Sequence, residues 1–258
     1  MDISFLIPCF NEADNIKVIV DDIKKIFQKT KYKYEIIFVN DASLDSTEEK
    51  IKEQERIHPN IKCVSLLKNV GKARSLEVGV LHVKGNHIIL MDGDFQYRAN
   101  DALNLYEVAL KGYDIISGYR LVRKDKFSVQ LTSKLFNSIL FLITGLKLKD
   151  AFSGLKCFKS DMLNFLALQG RLYRFAILFG EMNGFKVTEV AIDHFERHKG
   201  ISKYNGVKRL KLAIQDLLTI FLTITIRKRL LYYLYLISLL ALIVIIVLYY
   251  FINLDLNE

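Results

Sequence analysis

The chain has 258 residues, enough to bury one sizeable core with an appendage, and its 51% hydrophobic and 25% charged residues indicate a globular protein. The net charge of +9 would suit nucleic acid, but much of the excess lies between Arg197 and Arg229, where anionic lipid or a phosphate ligand explains it better. Cys9, Cys63 and Cys157 lack metal-ligand spacing, and their odd number favours core thiols in a reducing compartment over a disulfide framework.

Strands and helices alternate along the chain as far as Arg120. Short apolar runs bounded by turn residues predict strands at Ile3–Ile7, Tyr34–Val39, Ile61–Leu67, His87–Met91 and Asp114–Ser117. Helical spacing of apolar residues and capping residues predict helices at Asn11–Thr30, from about Ser46 onward, at Gly71–Val83 and at Asn100–Lys111. This alternation predicts an α/β fold with a mostly parallel sheet and helices on both faces.

Two later stretches, Phe127–Leu148 and Val207–Ile226, have amphipathic patterns. Each is compatible with an ordinary core helix or with a helix that lies in a membrane interface. The second stretch stands just before a long apolar segment, and this position favours the interface for it.

The long apolar segment runs from Leu230 to Leu254 without a charged residue. Because about 20 apolar residues cross a bilayer as a helix, we expect a transmembrane helix here rather than a buried core helix. Arg227-Lys228-Arg229 precedes the segment and Asp255 follows it, so the positive-inside rule places the preceding part of the chain in the cytoplasm. The N-terminus lacks the basic region of a signal peptide, in agreement with this orientation.

Polar motifs follow three of the predicted strands: Pro8-Cys9-Phe10-Asn11-Glu12, Asn40-Asp41-Ala42-Ser43-Leu44-Asp45-Ser46-Thr47 and Asp92-Gly93-Asp94-Phe95-Gln96. In an open α/β sheet, ligands bind beyond the carboxyl ends of the strands. The two carboxylates of the third motif can hold Mg²⁺ or Mn²⁺, which would then bridge to substrate phosphates. Taken alone, each motif is equally compatible with a turn or a helix cap. The three motifs in this order favour a nucleotide site.

This ordered set of motifs resembles the inverting, nucleotide-sugar-dependent glycosyltransferases of family 2, which adopt the GT-A fold. Within that family it is most similar to the enzymes that glycosylate dolichyl or undecaprenyl phosphate. The resemblance covers roughly residues 3 to 225 and includes Asn69-Val70-Gly71-Lys72-Ala73, Ser117-Gly118-Tyr119-Arg120, Asp150-Ala151-Phe152-Ser153-Gly154, Glu189-Val190 and Arg197–Tyr204. It implies a GT-A catalytic domain at 1–206, and the apolar patterns described above add a juxtamembrane amphipathic helix at 207–227 and the transmembrane helix at 230–254.

The resemblance also implies a donor site. Residues expected to bind the nucleotide sugar are Pro8, Asn11, Glu12, Asp41, Lys72, Asp92, Gly93, Arg197, Ser202 and Lys203. Asp92, Asp94 and Gln96 would hold Mg²⁺ or Mn²⁺ against the diphosphate. A bound cation suits this chemistry because the leaving nucleoside diphosphate gains negative charge as the sugar departs.

The acceptor side of the resemblance rests on Arg120, Ser133 and Lys134, with Asp94, Arg120 and Asp150 at the reacting centre. A guanidinium fork matches phosphate oxygens, although Arg120 is also compatible with a surface arginine and Asp150 with a cap or turn. An acceptor phosphate is an anion at neutral pH, so attack on the sugar requires no general base.

The chain departs from the family pattern at two places. Asn40 stands where the family often has an aspartate, although Asp41 follows it. Val129 stands where relatives often have an arginine one helical turn before Ser133, which leaves Lys126 or Lys134 as substitutes. The second departure concerns the binding of the acceptor.

We therefore expect a membrane-anchored transferase of cell-envelope glycan synthesis. It would move one sugar from a UDP- or GDP-linked donor to a polyprenyl phosphate at the cytoplasmic face, with no nucleic acid partner and with a homo-oligomer left open. An enzyme of the same fold with another lipid or glycan acceptor is the first alternative, and the absence of Trp excludes the Gln-x-x-Arg-Trp motif of processive synthases. The second alternative is a non-catalytic nucleotide-binding membrane scaffold, which the retained Asp92, Asp94 and Gln96 disfavour.

Overall fold

A computed structural model describes the chain over most of its length and divides it into two compact units. The described residues are 1–121, 127–146, 148–150, 153–162, 170–196, 212, 214–226, 232, 235, 237–239 and 241–242, with the backbone alone for 127–135 and 170–172. The first unit comprises Met1–Ser138 and Leu146–Lys203, and the second comprises Ile139–Gly145 and Tyr204–Glu258.

The strands alternate with helices, as the sequence predicts. The strands are β1 (Ile3–Cys9), β2 (Tyr34–Asn40), β3 (Ile61–Ser65), β4 (His87–Leu90), β5 (Ile115–Arg120), β6 (Lys156–Lys159) and β7 (Val187–Ile192). The helices are α1 (Ala13–Phe27), α2 (Thr47–Ile57), α3 (Lys72–Val80), α4 (Ala99–Ala109), α5 (Phe127–Thr144) and α6 (Ala176–Met182). Short 3₁₀ turns occur at Ser160–Met162 and Gly170–Phe175.

The sheet has the strand order β3-β2-β1-β4-β6-β5-β7 and is mostly parallel. Only β6 runs antiparallel to its neighbours, β4 and β5. The strand β1 pairs in parallel with β2 on one side and with β4 on the other. The chain therefore changes direction across the sheet at β1, and such a switch point opens a crevice at the carboxyl edge.

Helices cover both faces of the sheet, and this confirms the predicted α/β class. Side chains of β1 alternate between the faces, so Phe5 and Ile7 pack with α1 and α4, whereas Leu6 packs with Leu76 of α3 and Ile177 of α6. The predicted apolar stripe of α1 is fully buried, with Phe27 in edge-on contact with Phe5 at 5.1 Å between ring centroids.

Some predicted helices run past the ends that the structure gives them. The helix α5 ends at Thr144 rather than Leu148 because Gly145 adopts a left-handed conformation (φ +76°) and its N–H donates to the Phe141 carbonyl. The helix α3 ends at Val80 rather than Val83, where the following N–H groups bond three residues back and close the last turn.

In the second unit, residues 214–226 are helical. Ile220 and Ile224 are buried, whereas large apolar side chains are exposed at Ile214, Leu218, Phe221, Leu222 and Ile226. Among the described residues, no helix combines the length and the apolar character needed to cross a bilayer. The predicted transmembrane helix at Leu230–Leu254 lies mostly outside the described residues and stays a prediction.

One buried carboxylic acid of the fold has a shifted pKa. Asp101 of α4 is 7% exposed. Burial raises the pKa of Asp101 to about 6; the Asp193 and Arg98 backbone N–H groups act against this rise, and the Asp193 and Asp22 carboxylates add to it. The folded state therefore binds this proton more tightly than the unfolded state does.

We expect Asp101→Asn to raise the free energy of unfolding above pH 6. Because the folded pKa of about 6 exceeds the ordinary value of 3.8, the Asp101 contribution to stability is present at low pH and is lost as the pH rises between these values. The free energy of unfolding of the variant should not fall in this way between pH 3.8 and pH 6, as measured by urea unfolding. Asp161→Asn, at a side chain that is 80% exposed, is the matched control. An unchanged pH profile in Asp101→Asn would contradict the assignment.

Candidate active site

The three loops that follow β1, β2 and β4 carry the predicted nucleotide motifs and meet at the switch point. Each contains one non-glycine residue with positive φ, at Asn11 (53°), Ala42 (53°) and Phe95 (57°), and the described residues contain no others. Left-handed backbone costs such a residue about 1–2 kcal/mol. Strain of this kind concentrates at functional sites, where neighbouring contacts enforce it. The three positions therefore indicate a functional site at this edge of the sheet.

The loops after β1 and β2 are hydrogen-bonded together. The Asn11 N–H donates to Ser43 Oγ (3.0 Å), and the Leu44 N–H donates to Asn11 Oδ1 (2.8 Å). The Glu12 N–H donates to Thr47 Oγ1 (2.8 Å). These bonds fix the backbone of Asn11 and Glu12, both predicted donor-binding residues.

Gly93 allows the loop after β4 to approach the end of β1. A Cβ at Gly93 would lie 2.9 Å from Cys9 Sγ and 3.1 Å from the Pro8 carbonyl oxygen. The predicted residues Pro8 and Gly93 are thus brought into contact. Only a residue without a side chain fits this approach without a shift of the backbone.

Asp41 holds the loop that precedes α3. Its carboxylate is 4% exposed and accepts hydrogen bonds from the N–H groups of Val70 (2.8 Å) and Gly71 (2.9 Å). The Asp41 N–H donates to the Cys9 carbonyl (2.8 Å), so the loop is anchored to β1. Since Lys72 follows Gly71 directly, Asp41 also places the start of α3 at the site.

Lys72 and Asp92 form an ion pair at this edge. Lys72 Nζ donates to Asp92 Oδ1, and the two side chains are 30% and 29% exposed. The other oxygen, Oδ2, lies against Gly154, where a Cβ would come within 2.3 Å of it. Burial is the largest single influence and lowers the pKa of Lys72, but the charge and the hydrogen bond of Asp92, together with the nearby Tyr173 and Tyr97 hydroxyls, hold that pKa above its ordinary value. Lys72 is therefore an ammonium at neutral pH.

Asp94 and Gln96 complete the same loop. Asp94 is 7% exposed, and its Oδ1 accepts a hydrogen bond from the Gln96 N–H (3.3 Å). The Gln96 side-chain amide donates to the Phe195 carbonyl (3.2 Å), and the Phe195 N–H donates to the Gln96 carbonyl (3.1 Å). The Arg98 guanidinium lies over the rings of both Phe95 and Phe195, with its central carbon 3.6 Å and 4.5 Å from the ring centroids. The loop is thereby bound to residues 193–196, while the predicted Arg197, Ser202 and Lys203 lie outside the described residues.

Arg120 and Asp150 form a two-point ion pair. Nε of Arg120 donates to Oδ2 (2.6 Å) and Nη2 to Oδ1 (3.0 Å), and the side chains are 10% and 2% exposed. The Asp150 N–H donates in turn to Glu189 of β7 (3.2 Å). The structure thus pairs two residues predicted for the reacting centre with each other. Ser133 and Lys134 lie on α5, in its backbone-only part.

Sequence reasoning missed a buried lysine behind these ion pairs. Lys156 of β6 is 1% exposed, and its ammonium donates to Ser117 Oγ (3.1 Å) and to the Ser153 carbonyl (2.6 Å). Burial lowers the pKa of Lys156 to about 8, and the nearby Asp150 carboxylate opposes this shift. The signal available in the sequence was a lone lysine between the apolar residues Leu155 and Cys157.

Tyr97 is a second residue that sequence reasoning missed. It is 4% exposed, and its hydroxyl accepts a hydrogen bond from the Gly154 N–H (2.8 Å). Burial raises the pKa of Tyr97 to about 12, and the charge of Asp92 adds to the rise. Tyr97 therefore stays neutral and holds Gly154 against Asp92.

The carboxylates at this edge of the sheet suit a divalent cation whose coordination is completed by a bound ligand. Within the described residues, no group of three or more His, Cys, Asp and Glu side chains forms a closed metal cluster. Magnesium is commonly held by one or two carboxylates together with substrate phosphates, and Asp92 and Asp94 supply two. The Lys72 ammonium on Asp92 shows that this carboxylate already binds positive charge.

The polar loops at the switch point define an α/β protein of the class that binds its ligands beyond the carboxyl ends of the strands. The model of the glycosyl transferase family 2 matches residues 4–178. The chain belongs to this family, as the motifs predict.

Two curated relatives are named for transfer to lipid phosphates. The dodecaprenyl-phosphate galacturonate synthase of Rhizobium johnstonii is 29% identical over 85% of this chain and 66% of that protein. The undecaprenyl-phosphate 4-deoxy-4-formamido-L-arabinose transferase of Edwardsiella ictaluri is 27% identical over 87% of this chain and 69% of that protein. The chain thus spans about two thirds of the length of these relatives.

A solved structure confirms the fold. The glucosyl-3-phosphoglycerate synthase of Mycobacterium tuberculosis, crystallised with Mn²⁺, UDP and glucosyl-3-phosphoglycerate, has a TM-score of 0.63 to this chain. The match covers 86% of this chain and 79% of that one at 16% identity. At this identity the similarity establishes the shared architecture.

We expect Gly154→Ala to weaken nucleotide binding about tenfold, or about 1.4 kcal/mol. The new Cβ would lie 2.3 Å from Asp92 Oδ2 and would push that carboxylate from its position. Thermal stabilisation by UDP or GDP with Mn²⁺ measures the effect. Gly180→Ala, on α6, is the matched control. Its Cβ would lie 2.4 Å from Ile115 Cδ1, so we expect it to lower the free energy of unfolding without changing the stabilisation by the ligand. Equal ligand effects in the two variants would contradict the assignment.

We expect Asp150→Asn to reduce the free energy of unfolding by about 3 kcal/mol, because it leaves the Arg120 charge buried without its carboxylate. Urea unfolding measures the loss. Asp21→Asn, which breaks an exposed pair with Lys17 (55% and 69% exposed), should cost less than about 0.5 kcal/mol. Adding Arg120→Met to Asp150→Asn should recover part of the loss. A double variant as unstable as the sum of the two single variants would contradict a coupled pair.

Proposed function

We propose that the chain transfers a single sugar from a UDP- or GDP-linked donor to a polyprenyl phosphate at the cytoplasmic face of a membrane, with Mg²⁺ or Mn²⁺ as cofactor. The observation that carries the proposal is the carboxylate loop of Asp92 and Asp94 at the switch point, next to the Lys72 ammonium. Family membership supports sugar transfer, and the names of the two relatives support a lipid phosphate as acceptor.

The donor binds along the loops that follow β1, β2 and β4. Glu12 and Asp41 line the nucleotide, where their backbone N–H groups are already fixed by hydrogen bonds to Thr47 Oγ1 and to the Cys9 carbonyl. Asp92 and Asp94, with Gln96, would hold the cation. When bound, the cation stabilises the charge that develops on the departing nucleoside diphosphate.

The acceptor binds on the Arg120 side. Its phosphate carries negative charge at neutral pH, so its oxygen attacks the anomeric carbon without a general base. The Arg120 guanidinium orients that phosphate, while Asp150 holds the guanidinium in position through the hydrogen bonds that it accepts from Nε and Nη2. Ser133 and Lys134 of α5 contribute further contacts. Attack opposite the leaving diphosphate inverts the anomeric configuration.

The membrane assignment rests on the second unit. Its helix at 214–226 exposes Ile214, Leu218 and Phe221, which are 49% to 57% accessible. Tyr232 and Tyr235, also exposed, suit the aromatic belt at a membrane interface. We propose that this helix lies in the interface and that Leu230–Leu254 spans the bilayer once, so that the chain is held at the membrane that contains the lipid phosphate.

Transfer is tested with the detergent-purified chain, Mn²⁺, labelled UDP- and GDP-sugars and undecaprenyl or dolichyl phosphate. We expect a lipid-linked monosaccharide, identified by mass spectrometry, and a loss of about 100-fold in Asp94→Ala because leaving-group charge is no longer stabilised. Asp161→Ala, at an exposed position, is the matched control. Transfer to another lipid or to a glycan would replace the acceptor in this proposal. Equal behaviour of both variants would instead favour a non-catalytic scaffold.

A further inference from the structure

The Lys72–Asp92 ion pair occupies the oxygen that the cation would need. Asp92 offers one carboxylate oxygen, Oδ1, to the Lys72 ammonium, and its other oxygen is packed against Gly154. A divalent cation and an ammonium on the same oxygen repel each other. A cation can therefore use Asp92 fully only when Lys72 moves away.

The position of Lys72 is set by the fold. It is the first residue of α3, and the preceding Val70 and Gly71 are held by the buried Asp41 carboxylate. The backbone at this point is fixed, whereas the lysine side chain has a flexible four-carbon stem. Its side chain is 30% exposed, so the ammonium can exchange partners without unfolding the helix.

A nucleoside diphosphate offers Lys72 a second partner. The diphosphate carries several negative oxygens, and it would lie beside the same carboxylate loop when the cation is bound. The ammonium can then pair with phosphate oxygens while the cation takes its place on Asp92. Binding of the cation and binding of the diphosphate thereby become linked, because each favours the same position of Lys72.

We propose that Lys72 is a built-in competitor for the cation site, which keeps Asp92 occupied until a nucleoside diphosphate arrives and so makes cation binding depend on the donor. This inference deepens the proposed function and rests on it for the identity of the ligand. Lys72 is a positioning residue in this scheme, since it controls when Asp92 becomes available.

The test measures Mn²⁺ binding to the full chain in detergent without nucleotide. The electron paramagnetic resonance signal of free Mn²⁺ reports how much Mn²⁺ is bound. We expect Lys72→Met to bind Mn²⁺ about tenfold more tightly than the unchanged chain, because no ammonium competes for Asp92. Lys72→Arg keeps the charge and should bind as weakly as the unchanged chain. Lys68→Met, at an exposed lysine of the loop that precedes α3, is the matched control and should not change the Mn²⁺ affinity.

Two further measurements locate the effect. Asp92→Asn combined with Lys72→Met should lose the gain, because the carboxylate for which the ammonium competes is gone. Addition of UDP or GDP should raise Mn²⁺ affinity more in the unchanged chain than in Lys72→Met.

The inference is overturned if Lys72→Met binds Mn²⁺ no more tightly than the unchanged chain, provided that circular dichroism shows both folded. It is also overturned if the gain persists in the Asp92→Asn background, or if neither protein binds Mn²⁺. The first two outcomes leave the proposed transfer reaction untouched, whereas absence of Mn²⁺ binding would also remove Mn²⁺ from it as a cofactor. Absence of sugar transfer by the unchanged chain would overturn the proposed function separately.

Discussion

The parallel pairing of β1 with both β2 and β4 is the constraint on which the rest of the structure depends. It brings the carboxyl ends of three strands to one edge and separates their loops by about one strand spacing, near 5 Å. The hydrogen bonds between Asn11 and Ser43, and the close approach of Gly93 to Cys9, follow from this spacing. Asp41 then extends the edge to α3 through the backbone of the loop before it. The site is therefore assembled by backbone geometry before any side chain contacts a ligand.

The balance of buried charges is the second condition on which the candidate site depends. Buried charges are tolerated only when they are paired and hydrogen-bonded, and the site holds several. Arg120 and Asp150 are paired at two points, and Lys156 has the Ser117 hydroxyl and the Ser153 carbonyl as acceptors. A buried lysine of this kind offsets the neighbouring carboxylates and limits the repulsion among them. Because Lys156 interacts electrostatically with both Asp150 and Asp92, the Arg120–Asp150 and Lys72–Asp92 pairs belong to one set of opposite charges.

The sequence predicted those parts of the fold that local pattern controls. Apolar runs closed by turn residues located β1, β2 and β4, and the Asp92 and Asp94 loop followed from its place after β4. The strand β6 escaped prediction because it has four residues with a lysine at each end, and its pairing with β4 and β5 joins distant parts of the chain. For the same reason, the Arg120–Asp150 pair and the Gln96–Phe195 bonds were not foreseen, since tertiary packing selects the partner of a side chain. The roles assigned to the individual site residues stay predictions.

Arg98 contacts the rings of both Phe95 and Phe195, and these contacts affect the order in which the parts of the chain can fold. Gln96 and Phe195 are 99 residues apart along the chain, so the carboxylate loop can reach its final form only after β7 has been synthesised and has joined the sheet. On the ribosome, the N-terminal strands emerge and pair first. The carboxylate loop is consequently among the last parts of the first unit to reach its final form, and a nascent chain that ends before Phe195 lacks the contacts that hold this loop.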